Sequence, residues 1–203
     1  MESKKLSKEF WNERWMTQDT GWDIGYPSPA IVEFVKTITG KDVRILIPGC
    51  GNAYEAEYLH KNGFVNVFVV DYASEALRQF HERVPSFPKT HLITSDFFEV
   101  NTQPFDFVLE QTFFCALDPL LRKNYVEKMY SLLKPGGVLA GLLFDEDRGT
   151  EGPPFGGNKA EYTQLFHEKF EIRQMKACEN SIAHRAGREV WIEMVKMEER
   201  IQK

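Results

Sequence analysis

The sequence lacks any apolar run long enough to cross a membrane. Its longest uninterrupted apolar stretch, Val138 to Phe144, has the length of a strand, whereas a membrane-spanning helix needs about 18 residues or more. The opening segment, Met1 to Lys5, carries basic residues, but no apolar segment follows it, so we predict no secretory signal. These absences predict a protein with no membrane partner that works in the cytoplasm.

The sequence is also poor in cysteine. It has three, Cys50, Cys115 and Cys178, and they lie far apart. An odd and widely spaced set does not predict a disulfide framework, and no Cys-x-x-Cys or His-x₃-His spacing indicates a zinc site. We therefore expect no bound metal and reduced thiols, as is usual in the cytoplasm.

There is no excess of basic residues. The chain has 25 lysines and arginines against 30 aspartates and glutamates, which gives a net charge of −5. Proteins that bind nucleic acid backbones usually carry a basic excess, so we expect no nucleic acid partner. With 203 residues, of which 42% are hydrophobic, the chain is expected to form a single domain with its own core. We expect this domain to be a monomer.

What the sequence does contain is a regular alternation of strands and helices from residue 43 onward. Strands rich in Val, Ile, Leu and Phe that are separated by helices are typical of a parallel sheet covered on both faces, here a doubly wound α/β sheet. The predicted strands are Val43–Ile47, Val65–Val70, His91–Thr94, Phe105–Leu109 and Val138–Phe144. The predicted helices are Tyr54–Asn62, Ser74–Arg83 with Ser74 as N-cap, and a long helix that begins at Asp118-Pro119 and ends at Lys134-Pro135.

The segments on either side of this core, residues 43–144, have a different character. Residues 1–40 are predicted to form a helical cover, in which Trp11, Trp15 and Trp22 are crowded together. Residues 145–158 form a long loop rich in Gly and Pro, and loops of this length often act as lids. Residues 159–203 are predicted to form a helix and an antiparallel hairpin at the sheet edge, which brings the sheet to seven strands. The strands of the hairpin are predicted at Phe170–Met175 and Val190–Lys196.

The turn after the first strand suits a nucleoside ligand. Gly49 and Gly51 lie between a strand and a helix, and Asp71 ends the next strand, twenty residues after Gly51. Such glycines let the backbone approach a ligand, and such an acid accepts hydrogen bonds from ribose hydroxyls. Dinucleotide sites have a third Gly or Ala where this chain has the bulky Tyr54, which opposes NAD or FAD. Because no phosphate-binding P-loop is present either, the pattern suits S-adenosylmethionine.

A second acid follows the third predicted strand. Asp96 is placed to accept a hydrogen bond from an adenine amino group, and Phe97 stands beside it to contact the ring. Other roles stay open for these residues. The glycines could form a tight turn without a ligand, Asp71 could be a helix cap or a solvated acid, and Asp96 could be a helix N-cap as well as a ligand contact.

Several segments together resemble the thiopurine methyltransferase superfamily, and within it the thiol/halide branch, whose plant members make methyl halides and methyl thiocyanate. These segments run from about residue 9 to the carboxyl terminus: Phe10-Trp11, Trp15, Gly21-Trp22-Asp23, Ile47-Pro48-Gly49-Cys50-Gly51, Asp71, Asp96, Gln111-Thr112-Phe113-Phe114-Cys115-Ala116-Leu117 and Gly152-Pro153-Pro154-Phe155. The resemblance implies the class I S-adenosylmethionine-dependent methyltransferase fold, which is Rossmann-like. It also implies cofactor contacts from Trp11, Trp15, Trp22, Gly49, Asp71, Asp96, Phe97 and Gln111, beside the contact from Gly51 that the turn itself predicts.

The resemblance further implies in-line methyl transfer to a small, soft nucleophile: a thiol, a sulfide, thiocyanate or a halide. Such an acceptor needs no strong general base, and tryptophans that exclude water would activate it. Gln111 stands where the plant enzymes usually have Tyr, so hydrogen bonding near the acceptor differs. Glu110 is a candidate for orienting the acceptor or binding the methionine amino group, and we take Gln111 and Glu110 as candidate catalytic residues. Arg148 and Arg185 are candidates for attracting anions, unless they lie on the surface.

Other functions stay open from the sequence. One is a small-molecule N- or O-methyltransferase. A nucleic-acid or protein methyltransferase is disfavoured by the acidic charge and because Gly152-Pro153-Pro154-Phe155 follows strand five rather than strand four. A non-catalytic nucleoside-binding module would share Asp71 and Asp96, but it would not need three tryptophans and a lid. An NAD-dependent dehydrogenase is opposed by Tyr54.

Overall fold

A computed structural model describes residues 6–149 and 151–198. Residues 1–5 of the predicted cover, Thr150 of the predicted lid and residues 199–203 of the C-terminal part lie outside the described residues. The helices are α1 (Lys8–Met16), α2 (Pro29–Val35), α3 (Tyr54–Lys61), α4 (Ser74–Arg83), α5 (Arg122–Leu132) and α6 (Lys159–Phe166). The strands are β1 (Arg44–Pro48), β2 (Asn66–Asp71), β3 (Leu92–Thr94), β4 (Phe105–Gln111), β5 (Leu133–Phe144), β6 (Phe170–Ala177) and β7 (Glu189–Lys196).

The strands form one seven-stranded sheet in the order β3-β2-β1-β4-β5-β7-β6. The first five strands run parallel to one another, whereas β7 runs antiparallel to both β5 and β6. The predicted α/β sheet with its antiparallel C-terminal hairpin is therefore confirmed. The chain crosses from one half of the sheet to the other between β3 and β4, so the carboxyl ends of β1 and β4 flank the switch point at which such sheets bind ligands.

The alternation of side chains along β1 explains how both faces of the sheet are covered. Ile45 and Ile47 are buried in one core cluster, and Leu46 between them is buried in the other, as the two-residue repeat of a strand requires. Helices α2, α3 and α4 cover the first face, and α5 and α6 cover the second. Within the described ranges, no helix combines the length and the apolar character needed to cross a membrane.

The predicted long helix after β4 is wrong at both ends. Asp118 caps a short 3₁₀ turn, Pro119–Leu121, by accepting a hydrogen bond from Leu120 N at 2.9 Å, and α5 begins only at Arg122. At the other end, β5 begins at Leu133 rather than Val138, because Leu133 pairs with Phe105 of β4. The helical conformation is disfavoured for a residue that precedes proline. Lys134 precedes Pro135, which favours the change from helix to strand at this point.

The prediction that Ser74 is the N-cap of α4 is also wrong. Ser74 is the first helical residue, and Ala73 occupies the cap position without a side-chain hydrogen bond. The capping oxygen comes from α1 instead, since Asn12 Oδ1 accepts a hydrogen bond from Glu75 N at 3.2 Å. The start of α4 is thus tied to the N-terminal cover by a contact between residues 63 positions apart.

Candidate active site

A cavity of about 1270 Å³ opens at the carboxyl ends of β1, β2 and β4. Its walls come from the N-terminal cover, the glycine turn after β1, the segments after β2, β3 and β4, the lid, and the connection between β6 and β7 at residues 178–188. The structure thus brings together nearly all of the predicted site residues. Those that line the cavity are Trp11, Trp15, Trp22, Gly49, Gly51, Asp71, Asp96, Phe97, Gln111, Arg148 and Arg185.

The two glycines of the turn are required by the packing of two aromatic side chains. Gly49 and Gly51 have φ values of +55° and +51°, which favour glycine. A Cβ on Gly49 would lie 2.1 Å from Cδ2 of Phe113, and a Cβ on Gly51 would lie 2.9 Å from Cζ2 of Trp15. The space that we expected these glycines to leave for a ligand is therefore filled in part by Phe113 and Trp15.

Asp71 is buried at the end of β2 and holds the glycine turn in place. Its Oδ2 accepts a hydrogen bond from Gly51 N at 2.8 Å, and its Oδ1 accepts one from Ala73 N at 2.8 Å. Burial raises the pKa of Asp71 above its usual value, although these hydrogen bonds offset part of the rise. Because each carboxylate oxygen can accept more than one hydrogen bond, Asp71 can anchor the turn and still accept from ribose hydroxyls.

Asp96 starts a short 3₁₀ helix, Phe97–Glu99. Its Oδ1 accepts a hydrogen bond from Phe98 N at 2.8 Å, so the N-cap role that stood as an alternative is confirmed. Phe97 is buried beside it and meets Phe113 edge-on, with ring centroids 5.0 Å apart. Both Asp96 and Phe97 line the cavity, so the N-cap role does not remove them from the site.

The three clustered tryptophans form one aromatic wall. Trp22 meets Trp11 and Trp15 edge-on, with ring centroids 5.5 and 5.9 Å apart. Trp15 is buried against Ala73 and Ala76 at the start of α4. This tryptophan wall therefore packs against the segment that follows Asp71.

Asp23 joins the loop after α1 to the glycine turn and the start of α3 through hydrogen bonds. Its Oδ2 accepts a hydrogen bond from Asn52 Nδ2 and a longer one from the hydroxyl of Tyr54 at 3.4 Å. Tyr54, the bulky residue that opposes a dinucleotide, thus has a packing role of its own. Further along, Ser28 N donates to the buried carboxylate of Glu55 at 2.9 Å, which gives the cover a second attachment.

Glu110 does not reach the cavity, so the expectation that it touches an acceptor or the methionine amino group does not agree with the geometry. The residue is 0% exposed. Its Oε1 accepts hydrogen bonds from Phe113 N at 2.8 Å and Phe114 N at 2.9 Å, and its Oε2 accepts one from the hydroxyl of Tyr125 at 2.6 Å. Burial raises the pKa of Glu110 to about 7, although these three hydrogen bonds lower it. Glu110 is part of the wall behind the site.

Gln111, the next residue, does line the cavity. Its Oε1 is buried and has no hydrogen-bond partner among the described residues. A buried carbonyl oxygen without a partner costs free energy, and a bound molecule that donates a hydrogen bond would remove that cost. Gln111 is therefore well placed to contact whatever occupies the cavity at the end of β4.

The lid and the β6–β7 connection bring arginines to the opposite wall. Arg148 pairs with Glu146 and lies over the ring of Phe144, 4.1 Å from its centroid. Arg185 is only 5% exposed, so the alternative that it is a surface residue is wrong. Its Nη2 donates a hydrogen bond to the carbonyl oxygen of Trp22 at 2.9 Å, which joins the connection to the N-terminal cover. Arg185 also lies 3.7 Å from Oε1 of the buried Glu189, so both arginines bring their positive charge to this wall together with a partner carboxylate.

Several residues of the site were missed by sequence reasoning. Phe113 covers Gly49 and Asp23 fastens the cover, although both lie inside segments that carried the resemblance. Arg188 also lines the cavity, with Nη1 3.7 Å from Oε2 of Glu146. No local signal marks Arg188, because its place depends on how the lid and the connection pack together.

The residues present fit S-adenosylmethionine. The site offers carboxylates for hydroxyl and amino groups in Asp71 and Asp96, aromatic faces in the tryptophan wall, and the unpartnered oxygen of Gln111. The cavity exceeds the roughly 300–1,000 Å³ of typical small-molecule sites, so it has room for a nucleoside donor and a small second molecule.

Comparison with known proteins agrees with this fit. The sequence model of the family described as "Thiopurine S-methyltransferase (TPMT)" matches residues 6–203. The chain is 31% identical over 184 residues to the probable thiol methyltransferase 2 of Arabidopsis thaliana, covering 88% of this chain and 81% of the relative. It is 31% identical over 186 residues to the thiocyanate methyltransferase 1 of Brassica oleracea, with the same coverages of 88% and 81%.

Solved structures support the fold alone, because their sequence identities are low. The 1,6-didemethyltoxoflavin-N1-methyltransferase of Burkholderia thailandensis, solved with S-adenosylhomocysteine, aligns with a TM-score of 0.78 at 13% identity, covering 94% of this chain and 87% of that one. The N-methyltransferase NodS of Bradyrhizobium japonicum, also with S-adenosylhomocysteine, aligns with a TM-score of 0.72 at 16% identity, covering 95% of this chain and 100% of that one.

Proposed function

The chain belongs to the thiopurine S-methyltransferase family, and from this premise we propose that it transfers a methyl group from S-adenosylmethionine to a small, soft nucleophile. Candidate acceptors are a thiol, a sulfide, thiocyanate or a halide. One observation carries the proposal: a single cavity joins ribose- and adenine-type partners on one side to Gln111 and two arginines on the other. That arrangement suits a nucleoside donor and a small anionic acceptor.

On the donor side, we propose that Asp71 accepts hydrogen bonds from the ribose hydroxyls and Asp96 from the adenine amino group, with Phe97 against the ring. S-adenosylmethionine supplies an electrophilic methyl group on a positively charged sulfur. Trp11, Trp15 and Trp22 exclude water from that charge; an aromatic face attracts a desolvated cation by about 2 kcal/mol at most. Because the charge is lost on reaction, stronger attraction would favour the ground state, so the tryptophans act mainly by enclosing the site.

On the acceptor side, we propose that Arg148 and Arg185 attract an anion and that Gln111 orients it by donating a hydrogen bond from its side-chain amide nitrogen. A soft anion freed of water is a strong nucleophile, and a thiol with a pKa near ~8.5 needs only a favourable electrostatic setting to lose its proton. The chain's task is then to hold the nucleophile about 3–3.5 Å from the methyl carbon and in line with the sulfur. We assign Cys115 to packing rather than to a nucleophilic role, because it is buried and burial raises its pKa to about 12.

We also propose the setting in which the enzyme works. It acts as a single methyltransferase domain and a monomer in the cytoplasm, with small molecules rather than nucleic acids as partners. Residues 145–158 act as the lid. Three buried, unpaired cysteines and a net charge of −5 support this setting, because reduced thiols suit the cytoplasm and an acidic chain repels phosphate backbones.

The experiment that tests the proposed function is an acceptor screen with the full chain and methyl-labelled S-adenosylmethionine. Hydrosulfide, a small thiol, thiocyanate and iodide are offered in sealed vials, beside a small amine and a phenol. We expect labelled product from at least one of the soft nucleophiles and its suppression by S-adenosylhomocysteine. Transfer only to the amine or the phenol would replace the proposed acceptor class. Tight cofactor binding with no transfer at all would contradict the enzyme function.

A further inference from the structure

The last residue of β4 and the three residues after it, 111–114, form a strained turn in the cavity wall; we call it the β4 turn. Thr112 has a φ of +57°, a conformation that is uncommon for a residue other than glycine. The strain is sustained because the next residue is tightly packed. The ring of Phe113 lies directly over Gly49 and meets Phe97 edge-on. The β4 turn, which includes Gln111, thus contacts both Gly49 of the glycine turn and Phe97.

The β4 turn is held from behind by one buried carboxylate. Glu110 accepts hydrogen bonds from the N–H groups of Phe113 and Phe114 through a single oxygen, at 2.8 and 2.9 Å. Its other oxygen accepts a hydrogen bond from Tyr125 of α5 at 2.6 Å. Glu110 and Tyr125 are both 0% exposed. A charged group so deeply buried is costly unless its hydrogen bonds are complete, and here three donors converge on it.

We infer that Glu110 is a positioning residue, whose ionised carboxylate holds the β4 turn so that Phe113 packs on Gly49 and Gln111 faces the cavity. This inference rests on the proposed function in one respect, namely that the cavity binds the methyl donor. It assigns Glu110 no contact with donor or acceptor. Its effect is exerted through the backbone of the turn.

The chemistry of the three donors explains why a carboxylate is suited to this place. A carboxylate accepts hydrogen bonds at both oxygens and donates none, so it matches two N–H groups and one O–H. Protonation, or replacement by an amide, turns one side of the group into a donor. That donor then faces either the N–H pair of the turn or the hydroxyl of Tyr125, and the stronger charge-assisted bonds are lost.

The surroundings of Glu110 bring its titration close to neutral pH. Burial raises its pKa to about 7. The groups that face it are Tyr125 from α5 and Cys115 from beyond the turn, and burial raises the pKa of both, that of Cys115 to about 12. Arg148 and Arg185 act on Cys115, and no ion pair to Glu110 is found among the described residues. On the β5 side Glu110 meets the backbone of Gly141.

The direction of the pH effect follows from this arrangement. Below a pH of about 7, Glu110 is mostly protonated and the turn is held less firmly. Above that pH the carboxylate is ionised and the turn is held in its packed form. Donor binding that requires the packed form is therefore tighter at higher pH, and binding near neutrality releases protons.

The test measures binding of S-adenosylhomocysteine to the full chain by calorimetry from pH 5.5 to 8.5, in paired buffers of different ionisation enthalpy. No acceptor is present, so thiol ionisation cannot contribute. For the wild type we expect affinity that rises several-fold through pH 7, with proton release. For Glu110→Gln we expect roughly tenfold weaker binding at pH 8, as for a lost hydrogen bond to a charged group, and no midpoint near neutrality.

Two tyrosine variants keep the test decisive if Glu110→Gln does not fold. Tyr125→Phe removes a hydrogen bond that lowers the pKa of Glu110, so the midpoint should move to higher pH. Tyr162→Phe is the matched control, because its buried hydroxyl donates to the carbonyl of Phe144 instead, and its midpoint should stay in place. A midpoint that survives in Glu110→Gln, or that is the same in Tyr125→Phe as in the wild type, overturns the inference.

The same experiment separates this inference from the proposed function. If S-adenosylhomocysteine binds with the expected pH dependence but the acceptor screen yields no product, the proposed function fails and the positioning role stands. If the variants weaken binding equally at every pH, Glu110 supports the fold only and the positioning role fails. If the wild type does not bind S-adenosylhomocysteine at any pH, both are wrong.

Discussion

At the residue scale, one carboxylate, that of Asp71, holds the glycine turn and is also the residue that we propose to bind the ribose. It accepts hydrogen bonds from Gly51 N and Ala73 N, and so fixes the bend of the glycine turn and the chain after β2. The residue also lines the cavity. The proposed ribose contact would couple ligand binding to local stability at this residue, so a variant must be judged on both.

We predict that Asp71→Asn weakens S-adenosylhomocysteine binding by about 1–3 kcal/mol, because charge-assisted hydrogen bonds to the ribose are lost. Calorimetry gives the affinity, and urea unfolding gives the change in stability separately. Asn keeps the size and one accepting oxygen, so the chain should stay folded. Unchanged affinity in the folded variant would show that Asp71 serves the turn alone.

Glu110 gives a stability prediction that is independent of any ligand. Burial raises its pKa in the folded protein to about 7. An acid whose folded pKa is raised contributes stability that is present below its unfolded pKa and is lost as pH rises through the folded pKa. The folded protein is therefore less stable when Glu110 is ionised, although the ionised carboxylate is the form that accepts all three hydrogen bonds.

We therefore expect the wild type to lose roughly 2–3 kcal/mol of unfolding free energy, relative to Glu110→Gln, as the pH rises from 5 to 8. Urea unfolding at several pH values measures this difference. Glu168→Gln, a change at an exposed position near the end of α6, is the control and should show no such trend. A difference that is constant with pH would mean that the Glu110 carboxyl has an ordinary pKa.

At the scale of elements, α1 matters because it completes α4 as well as covering the cavity. Asn12 Oδ1 accepts a hydrogen bond from Glu75 N in the first turn of α4, while Trp15 packs against Ala73 and Ala76. A helix cap supplied from another helix makes the two interdependent. Loss of the cap should loosen the cover as well as the start of α4.

This arrangement predicts that Asn12→Ala destabilises the protein by about 1 kcal/mol, the usual cost of a lost N-cap. Ser74→Ala, at the position that the sequence indicated as the cap, removes only a long, exposed hydrogen bond of 3.5 Å from the Ser74 hydroxyl to Asn12 Oδ1. It should therefore cost less than about 0.5 kcal/mol, as for a surface change. Urea unfolding of both variants under the same conditions compares them. A larger effect at Ser74 than at Asn12 would reverse the assignment.

The same scale shows what the sequence could predict. Strand periodicity located the core strands, and the Gly49–Gly51 turn and Asp71 located the cavity, since these signals are local. The cap from Asn12, the contact of Glu110 with Tyr125 and the early start of β5 all depend on partners distant in the chain. Glu110 is the same kind of case, because its position at the end of β4 does not show whether the side chain points to the cavity or behind it.

At the scale of the whole molecule, the cavity is closed by segments from both ends of the chain. Arg185 donates a hydrogen bond to the carbonyl of Trp22, a contact that spans 163 positions. On the other side, the lid is tied to the segment after β4, since Phe155 N donates to the carbonyl of Cys115 at 2.7 Å. We propose that acceptor selection depends on these segments, which lie around the core of residues 43–144.

A ligand that touches all of these walls should stabilise the molecule as a unit. At a concentration one hundred times its dissociation constant, a ligand adds about 2.7 kcal/mol, which for a chain of this size corresponds to a rise in Tm of about 5–10 °C. We expect S-adenosylhomocysteine to produce this rise and to slow hydrogen exchange in α1 and in residues 178–188, because both line the cavity. NADH at the same concentration is the control and should do neither, since Tyr54 stands at the position where a dinucleotide site needs a small residue. A rise in Tm with unchanged exchange in α1 would mean that the donor binds to the core alone and that the tryptophan wall does not cover it.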